Sequence, residues 1–326
     1  MFFFNAAILV AGFAALVKEA DIFVDGSSSL ARIFNVPPVI IGLTIVAMGT
    51  SMPELAVSIS AALAGSSEIA LSNVVGSNIF NLLVVLGVCA VIHPVPVDSV
   101  ILKRDFPFSI IATLGIFLAV ALSAFFGGDF FNLKMEADAG AISRGLGIII
   151  LATFIAYIMY LIFNARKNLV SEEENAKSIP LWKCLLFIVL GLFLIIAGDK
   201  AVVYNAQNIA RFFGMTETLI GLTVVAIGTS LPELVTSIVA ARKGETSLAV
   251  GNVIGSNIFN LLFILGVSAS IHPVSVNAAS VYDMAILIFV SVLTWIFSMT
   301  GRRIYRLEGM IMLLCYALES VFAAMR

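Results

Sequence analysis

The chain has 326 residues, of which 61% are hydrophobic and only 12% are charged, and its formal net charge is −2. This composition excludes a soluble globular protein and predicts an integral membrane protein. Apolar segments of about 20 residues, long enough to cross a bilayer as helices, recur along the whole chain and leave no room for a separate soluble domain. They are much longer than the strands of roughly ten residues in a membrane β-barrel, so the predicted fold class is all-α.

We predict ten transmembrane helices, five in each half of the chain. In chain order they lie at about 2–30, 37–64, 67–92, 99–125 and 142–165, then 181–210, 217–241, 246–271, 278–300 and 305–325. The first segment resembles the apolar core of a signal peptide, but no basic residue precedes it, so we interpret it as a retained helix. Cys89, Cys184 and Cys315 stand alone in apolar segments and are expected to be small buried side chains.

Two long segments occur twice, 179 positions apart, as Glu54 and Glu233 are. The segment GLTIVAMGTSMPELAVSISAA returns as GLTVVAIGTSLPELVTSIVAA, and NVVGSNIFNLLVVLGV returns as NVIGSNIFNLLFILGV. Matches continue outward at the same offset, so the duplicated unit is a half of five helices. Because five crossings is an odd number, the halves are predicted to be inverted repeats. The first repeat is then 1–165, a short cytoplasmic linker is 166–180, and the second repeat is 181–326.

Lys and Arg residues are concentrated in alternate loops, and this bias predicts the orientation of the chain. Under the ten-helix plan, the linker and the loops that carry Lys103, Lys243 and Arg303 lie in the cytoplasm. Both termini then lie on the non-cytoplasmic side of the cell (inner) membrane. Asp21 and Asp25 fall near the cytoplasmic end of the first helix, and we expect them to form salt bridges rather than a transport site.

Each half carries one carboxylate in the middle of an apolar helix. In GTSMPE, Thr50 and Ser51 share a helical face with Glu54, and Ala47 lies one turn earlier on the same stripe. In the first GSNIFN motif, two further polar side chains lie four residues apart on one face, Ser77 and Asn81. The second half repeats both faces, with Thr229, Ser230, Glu233, Ser256 and Asn260.

These side chains all offer oxygen atoms, which suit hard cations such as Na⁺, Ca²⁺ and Mg²⁺, whereas softer metals call for Cys or His. Pro53 and Pro232 lack the N–H that would bond the carbonyl four residues back, so a helix break is predicted beside each. A bound cation would satisfy backbone carbonyls freed by the break. A carboxylate at a helix centre costs about 2.5–3.5 kcal/mol on insertion scales, which favours a functional explanation. The structural alternative is that both glutamates are protonated or pair with buried bases.

The motifs GTSMPE with GSNIFN, and GTSLPE with GSNIFN, resemble the two α-repeats of the cation/calcium exchanger superfamily. The resemblance is to its sodium/calcium exchanger branch, which includes potassium-dependent and prokaryotic members, and it covers both halves. It implies a diamond of four inward-facing groups, Glu54, Asn81, Glu233 and Asn260. It also implies that hydroxyls and carbonyls surround the diamond, those of Thr50, Ser51, Ser77, Thr229, Ser230 and Ser256 and of Ala47 and Ala226.

In exchangers of this kind, Ca²⁺ and Na⁺ compete for overlapping positions, and the first and sixth helices slide over a fixed core to expose the site to either side. Many members have Asp at the position of Asn81 or Asn260, whereas this chain has Asn at both. The site then carries only the charge of two glutamates. One Ca²⁺ balances that charge formally, and three Na⁺ leave an excess positive charge.

The leading hypothesis is a secondary-active antiporter that exchanges Ca²⁺ for Na⁺ by alternating access. A Ca²⁺/H⁺ antiporter of the same fold and a passive cation channel are the alternatives. No nucleotide loop, nucleophile with a base or haem pair is found, so an enzyme is not expected. We expect no cofactor besides the transported Ca²⁺ and Na⁺, no nucleic-acid partner, and a chain that acts as a monomer in the lipid bilayer.

Overall fold

The computed structural model describes residues 2–66, 68–127, 138–167, 179–215, 224 and 226–325. The first half contains α1 (Phe2–Ile33), α2 (Pro38–Thr50), α3 (Met52–Leu63), α4 (Glu68–Ile92), α5 (Phe106–Gly127) and α6 (Arg144–Lys167). The second half contains α7 (Leu181–Phe212), α8 (Ala226–Thr229), α9 (Leu231–Arg242), α10 (Thr246–Ile271), α11 (Ala278–Met299) and α12 (Arg306–Met325). Short strands connect some of them, β1 (Val95–Pro96), β2 (Asp138–Ile142), β3 (Val274–Asn277) and β4 (Arg303–Ile304).

The described helices begin and end within a few residues of the predicted segments. Turn residues explain two of the boundaries, because Gly65 after α3 and Gly244 after α9 adopt φ of +77° and +81°, a left-handed conformation that glycine adopts without steric cost. These two glycines are equivalent positions of the duplication. Most of the predicted linker and the beginning of the predicted helix at 217–241 lie outside the described residues.

Among the described helices, six are long and apolar enough to cross a membrane, and the bent pair α2–α3 would make a seventh. The fold is therefore helical with several membrane spans, as the composition predicts. The count of ten spans, their arrangement as two inverted repeats and the boundaries at 165 and 181 stay predictions.

The centre of the protein is built from α4 and α10, the helices that carry the two GSNIFN motifs. In α10, 94% of the most apolar 18-residue window is buried inside the protein, and in α4 the share is 72%, against 22–33% in the other single-helix spans. Both central helices contain a π-helical turn, Asn81–Val85 in α4 and Phe259–Ile264 in α10. Because these turns begin at or beside Asn81 and Asn260, the irregular backbone lies where the polar side chains point into the core.

The two halves exchange their last elements. Strand β1 pairs with β4 in the second half, and β2 pairs with β3, both antiparallel. Helix α6 packs on the C-terminal part of α10, and α12 packs on the C-terminal part of α4. Glycines make both contacts close, since a Cβ on Gly147 would lie 2.8 Å from Cβ of Ala269, and one on Gly309 would lie 2.7 Å from the carbonyl oxygen of Gly87. The sequence analysis did not predict these strands.

Helices α1 and α7 form a long pair on the outside of this core. Their backbones approach closely because a Cβ on Gly191 of α7 would lie 2.8 Å from the backbone nitrogen of Phe23. At the end of α1, Lys243 donates to Asp25 at 2.7 Å and lies 3.3 Å from Asp21, and Arg32 donates to Glu245 at 3.0 Å. The expected salt bridges of Asp21 and Asp25 are confirmed, and they join α1 to the turn between α9 and α10.

The close packing of α6 on α10 predicts a position-specific cost for one added methyl group. Gly147→Ala is expected to lower the stability of the purified protein by about 1–3 kcal/mol, because the new Cβ overlaps backbone atoms that cannot move aside. Thermal unfolding in detergent measures the effect. Gly115→Ala is the matched control, since its Cβ would meet no atom within 4 Å. Equal melting temperatures for the two variants would contradict the packing described above.

Candidate cation site

Both predicted helix breaks are present, and each falls two residues before its proline. The chain bends by 50° between α2 and α3, with Ser51 at φ −83°, ψ 14° between them, and Ser230 takes the same place between α8 and α9 at φ −99°, ψ 8°. The break places Glu54 in the first turn of α3 and Glu233 in the first turn of α9. The partial positive charge of a helix N-terminus stabilises a carboxylate there, a benefit that an unbroken helix would not give.

Near the first break, the backbone carbonyl of Ala47 has several polar contacts. It accepts bonds from the Ser51 backbone N–H at 3.1 Å and from the Thr50 hydroxyl at 3.4 Å, and the Ser256 hydroxyl lies 3.5 Å away. Pro53 has no N–H to donate to the carbonyl of Gly49, so that carbonyl lacks its usual helical partner.

Each glutamate is held by a serine of the other half. The Ser51 hydroxyl donates to Oε1 of Glu233 at 2.7 Å, and the Ser230 hydroxyl donates to Oε1 of Glu54 at 3.0 Å. All four residues are completely buried. Ser77 lies 3.5 Å from Oε1 of Glu54, and Ser256 lies 3.4 Å from Oε1 of Glu233. The serines of the two motifs thus bring the two carboxylates into one polar network.

A pair of asparagines that the sequence analysis did not single out joins the two central helices. Asn78 donates to the backbone carbonyl of Asn257 at 3.1 Å, and Asn257 donates to the carbonyl of Asn78 at 3.3 Å. Their side-chain oxygens accept from the next asparagines along, from Asn81 at 3.2 Å and from Asn260 at 3.0 Å. The duplicated asparagine inside each GSN triplet is the sequence feature that could have identified this pair.

This network fixes which atoms Asn81 and Asn260 present. Because their amide nitrogens are used as donors, their Oδ1 atoms are left as acceptors, and these atoms are buried without a hydrogen-bond partner in the described part of the chain. Oε2 of Glu54 and Oε2 of Glu233 are likewise buried without a hydrogen-bond partner among the described residues. Buried polar atoms nearly always have partners, so four unsatisfied acceptors at equivalent positions of a duplication need an explanation.

The alternative that the glutamates pair with buried bases finds no support among the described residues, since no Lys or Arg nitrogen lies within 4.0 Å of Glu54 or Glu233. Asp105 shows what a paired buried carboxylate looks like in this protein. Its two oxygens accept from Arg104 at 2.7 and 3.0 Å, and the Tyr157 hydroxyl adds a bond at 3.0 Å. A hard cation is the partner whose chemistry fits the acceptors of the two glutamates.

Further polar groups support the inner ones. Asn73 donates to the backbone carbonyl of Glu54 at 3.2 Å and to Ser58 at 3.0 Å. In the second half, Asn252 donates to Ser237 at 3.0 Å and accepts from Thr50 at 3.1 Å. Hydrogen bonds of this kind hold the surrounding backbone and side chains in place around a metal site.

Two predicted residues of the second half, Thr229 and Ala226, lie at the two ends of α8. Thr229 is half-buried and lines a cavity between α3 and α7. Ala226 is the first residue of α8. The described residues hold no cluster of three or more His, Cys, Asp or Glu side chains fit for a metal, which agrees with a mixed site of carboxylate, amide and hydroxyl oxygens.

Comparison with known proteins identifies the family to which a chain with this arrangement belongs. A family model described as "Sodium/calcium exchanger protein" matches residues 4–163 and 183–325. The chain belongs to the sodium/calcium exchanger family. The match spans both halves of the duplication, and it includes both GTSxPE and both GSNIFN motifs. The resemblance read from these motifs is confirmed.

Similar proteins match this exchanger-family chain over nearly its whole length. It is 39% identical over 319 residues to the putative antiporter CaxA of Alkalimonas amylolytica, covering 94% of this chain and 95% of that protein. It is 34% identical over 337 residues to the sodium/calcium exchanger MaX1 of Methanosarcina acetivorans, covering 96% of each. A solved structure of the sodium-calcium exchanger NCX_Mj matches with a TM-score of 0.80 at 29% identity and covers 100% of both chains.

Family membership makes the chain a membrane-embedded, multi-pass protein of a cation antiporter family, not a member of a family of catalytic enzymes. Na⁺ and Ca²⁺ are the ions that the family transports.

The asparagine pair predicts a role in orienting the acceptors. Asn257→Ala removes the oxygen that holds the Asn81 amide, so Asn81 is expected to turn and calcium affinity to fall about tenfold, the equivalent of one lost buried hydrogen bond. Titration calorimetry on the purified protein measures the affinity. Asn205→Ala is the control, because that buried amide donates to the carbonyl of Ala201 in its own helix. Unchanged affinity in a folded Asn257→Ala protein would remove the orienting role.

Proposed function

We propose that the chain exchanges Ca²⁺ for Na⁺ across the membrane, with both ions using the oxygens of Glu54, Asn81, Glu233 and Asn260. The observation that carries the proposal is the set of four buried acceptors without hydrogen-bond partners among the described residues. The printed name of MaX1, a sodium/calcium exchanger that matches 96% of this chain, supports the choice of ions.

The chemistry of the acceptors suits competition between the two ions. Ca²⁺ takes six to eight oxygen ligands in flexible geometry, and the four proposed ligands with the neighbouring hydroxyls of Ser51, Ser77, Ser230 and Ser256 offer that number without any softer donor. Two carboxylates balance the charge of one Ca²⁺. Na⁺ is bound by the same kind of hard oxygen ligand but carries a lower charge than Ca²⁺. A high Na⁺ concentration on one side therefore displaces Ca²⁺ from a shared site. Thr50 and Thr229 and the carbonyls of Ala47 and Ala226 complete the proposed surroundings.

Alternating access is proposed to come from movement of α1 and α7 over the central helices. At one end of this pair, Lys243 and Arg32 close the gap between α1 and the α9–α10 turn through their ion pairs with Asp25 and Glu245. Toward the other end, a cavity of about 280 Å³ separates α7 from α3. A cavity of about 420 Å³ also lies beside the ion pairs at the first end, so it is the ion pairs themselves, and not the cavity volumes, that support a conformation closed at the first end. With the orientation predicted from the Lys and Arg bias, the closed end is cytoplasmic.

The remaining proposals concern the frame in which this movement takes place. We infer two inverted repeats of five helices, at 1–165 and 181–326, joined by a cytoplasmic linker at 166–180. Both termini are proposed to lie outside the cytoplasm in the cell (inner) membrane, and the chain is proposed to act as a monomer. The reciprocal bonds between equivalent residues of the two halves support an internal pseudo-twofold relation.

Flux in reconstituted vesicles tests the exchange. Imposing a Na⁺ gradient at constant pH is expected to drive ⁴⁵Ca²⁺ against its concentration gradient, because the two ions occupy one site in alternate half-cycles of transport. Varying the Na⁺, K⁺ and H⁺ gradients separately identifies the coupling ion. If calcium moves only when a proton gradient is imposed, the coupling ion is H⁺ and not Na⁺. If single-channel currents are recorded, the protein is a channel and not an exchanger.

Neutralising either glutamate is expected to abolish this exchange. Glu54→Gln and Glu233→Gln keep the size of the side chain but remove one of the two charges that balance Ca²⁺, so flux should fall by about a hundredfold or more. Glu68→Gln is the control, since Glu68 is an exposed carboxylate at the start of α4. Transport near the parent level in both site variants, with normal membrane insertion, would refute the assignment of the site.

The ion pairs at the end of α1 are expected to bias the conformational equilibrium. Each pair is partly exposed and contributes roughly 0–1 kcal/mol, so Lys243→Gln, which breaks the pairs with Asp21 and Asp25, should raise hydrogen exchange of the last turns of α1 about two- to fivefold. Mass spectrometry of the exchanged peptides gives the measurement. Lys103→Gln, at an exposed lysine, should leave these peptides unchanged. Equal exchange in both variants would show that these pairs do not hold the end of α1 closed.

A further inference from the structure

Helix α7 carries a buried carboxylate that lies outside the proposed cation site and, unlike Asp105, has no arginine bonded to it among the described residues. Asp199 is 5% exposed, and its Oδ1 atom has no hydrogen-bond partner among the described residues. It makes no ion pair within 4.0 Å in that part of the chain, although Lys200 follows it directly. The equivalent position of the first half is Ala20, so the duplication does not explain this acid.

Asp199 lies in the wall of the cavity of about 280 Å³ between α7 and α3. Other lining residues are Lys200 and Gln207 from α7, Val57 from α3, and Thr229 from α8. A water molecule takes up about 30 Å³ in the liquid, so a cation that keeps part of its hydration shell fits in this space. Asp199 and Lys200 are the charged residues of the lining.

The cavity ends beside the cation site. Its lining includes Pro53, which precedes Glu54, and Thr229, which precedes Ser230. Asp199 lines the same cavity as Pro53, the residue next to Glu54. Asp199 therefore lines a cavity that ends beside the two glutamates, and its Oδ1 atom is buried without a hydrogen-bond partner among the described residues.

We propose that Asp199 is an access site, the first carboxylate that binds an entering Ca²⁺ or Na⁺ on its way from this cavity to Glu54 and Glu233. The inference rests on the proposed exchange function and deepens it. Asp199 replaces water ligands of the cation one at a time and raises its local concentration next to the site. Lys200, on the same wall, repels the cation and opposes this effect.

The absence of an equivalent acid at Ala20 makes the two entrances different. In the first half, the residue equivalent to Lys200 is Asp21, and Asp21 is engaged by Lys243 at 3.3 Å. Glu19, next to Ala20 on α1, also has a buried oxygen without a partner among the described residues, but it is not among the residues that line the cavity, whereas Asp199 is. The access site therefore acts on ions that arrive from the cavity side and not on ions that arrive from the opposite side.

The test measures calcium flux in vesicles of known orientation, with Ca²⁺ applied to one side at a time. Asp199→Asn is expected to raise the half-saturating Ca²⁺ concentration about three- to tenfold from the cavity side, the effect of one unit charge near the path. From the opposite side, the half-saturating concentration should stay at the parent value. Asp199→Glu should restore most of the parent behaviour, because it returns the carboxylate.

Two further variants separate electrostatics from damage to the fold. Lys200→Gln should lower the half-saturating concentration from the cavity side, the reverse sign, and this result carries the proposal if Asp199→Asn does not insert. Glu68→Gln, an exposed acid outside the cavity lining, should match the parent. Parent-like behaviour of Asp199→Asn, an equal rise from both sides, or a rise in Lys200→Gln would overturn the access site. A parent protein that moves no Ca²⁺ would overturn the exchange function itself.

Discussion

The constraint on which the rest of the structure depends is the burial of two carboxylates in a chain that crosses a membrane. Glu54 and Glu233 are fully buried, and one oxygen of each is satisfied by a serine that belongs to the other half of the duplication. The serine of the same half lies farther away in each case, at 3.5 Å from Glu54 and 3.4 Å from Glu233, so each glutamate takes its shorter serine bond from the other half. The helix breaks, the central position of α4 and α10, and the reciprocal bonds of Asn78 and Asn257 follow from this requirement, because each brings the two copies together around the same acids.

Much of this arrangement could be predicted from the sequence, because the duplication marks it twice. The helical segments follow from hydrophobic runs bounded by Gly and Pro, and the breaks at Ser51 and Ser230 follow from the prolines that cannot donate a backbone bond. Helical spacing also places Ser77 and Asn81 on one face. Features that lie within a single helix, or that a proline imposes locally, were accessible in this way.

Contacts between the halves could not be predicted from the sequence in the same way. Spacing places Ser51 on the face of Glu54, but in three dimensions its hydroxyl bonds to Glu233, since the bend at the break turns the serine toward the opposite copy. The role of Asn78 depends on a partner 179 residues away. The residue equivalent to Asp199 in the first half is Ala20, so the duplication does not mark Asp199. The strands of two to five residues are too short to show a period.

The exchange of final helices between the halves has a consequence for the order in which the protein is made. Helix α6 packs on the end of α10, which is synthesised about a hundred residues later, so α6 waits in the membrane without its packing partner. Within its own half, Tyr157 of α6 bonds to Asp105 and stacks on Phe108. Lipid covers most of the remaining surface, since only 28% of the apolar window of α6 is buried in the finished protein. Insertion of the first half is thus separated from its packing, and the tertiary structure closes only when the last helix, α12, reaches α4.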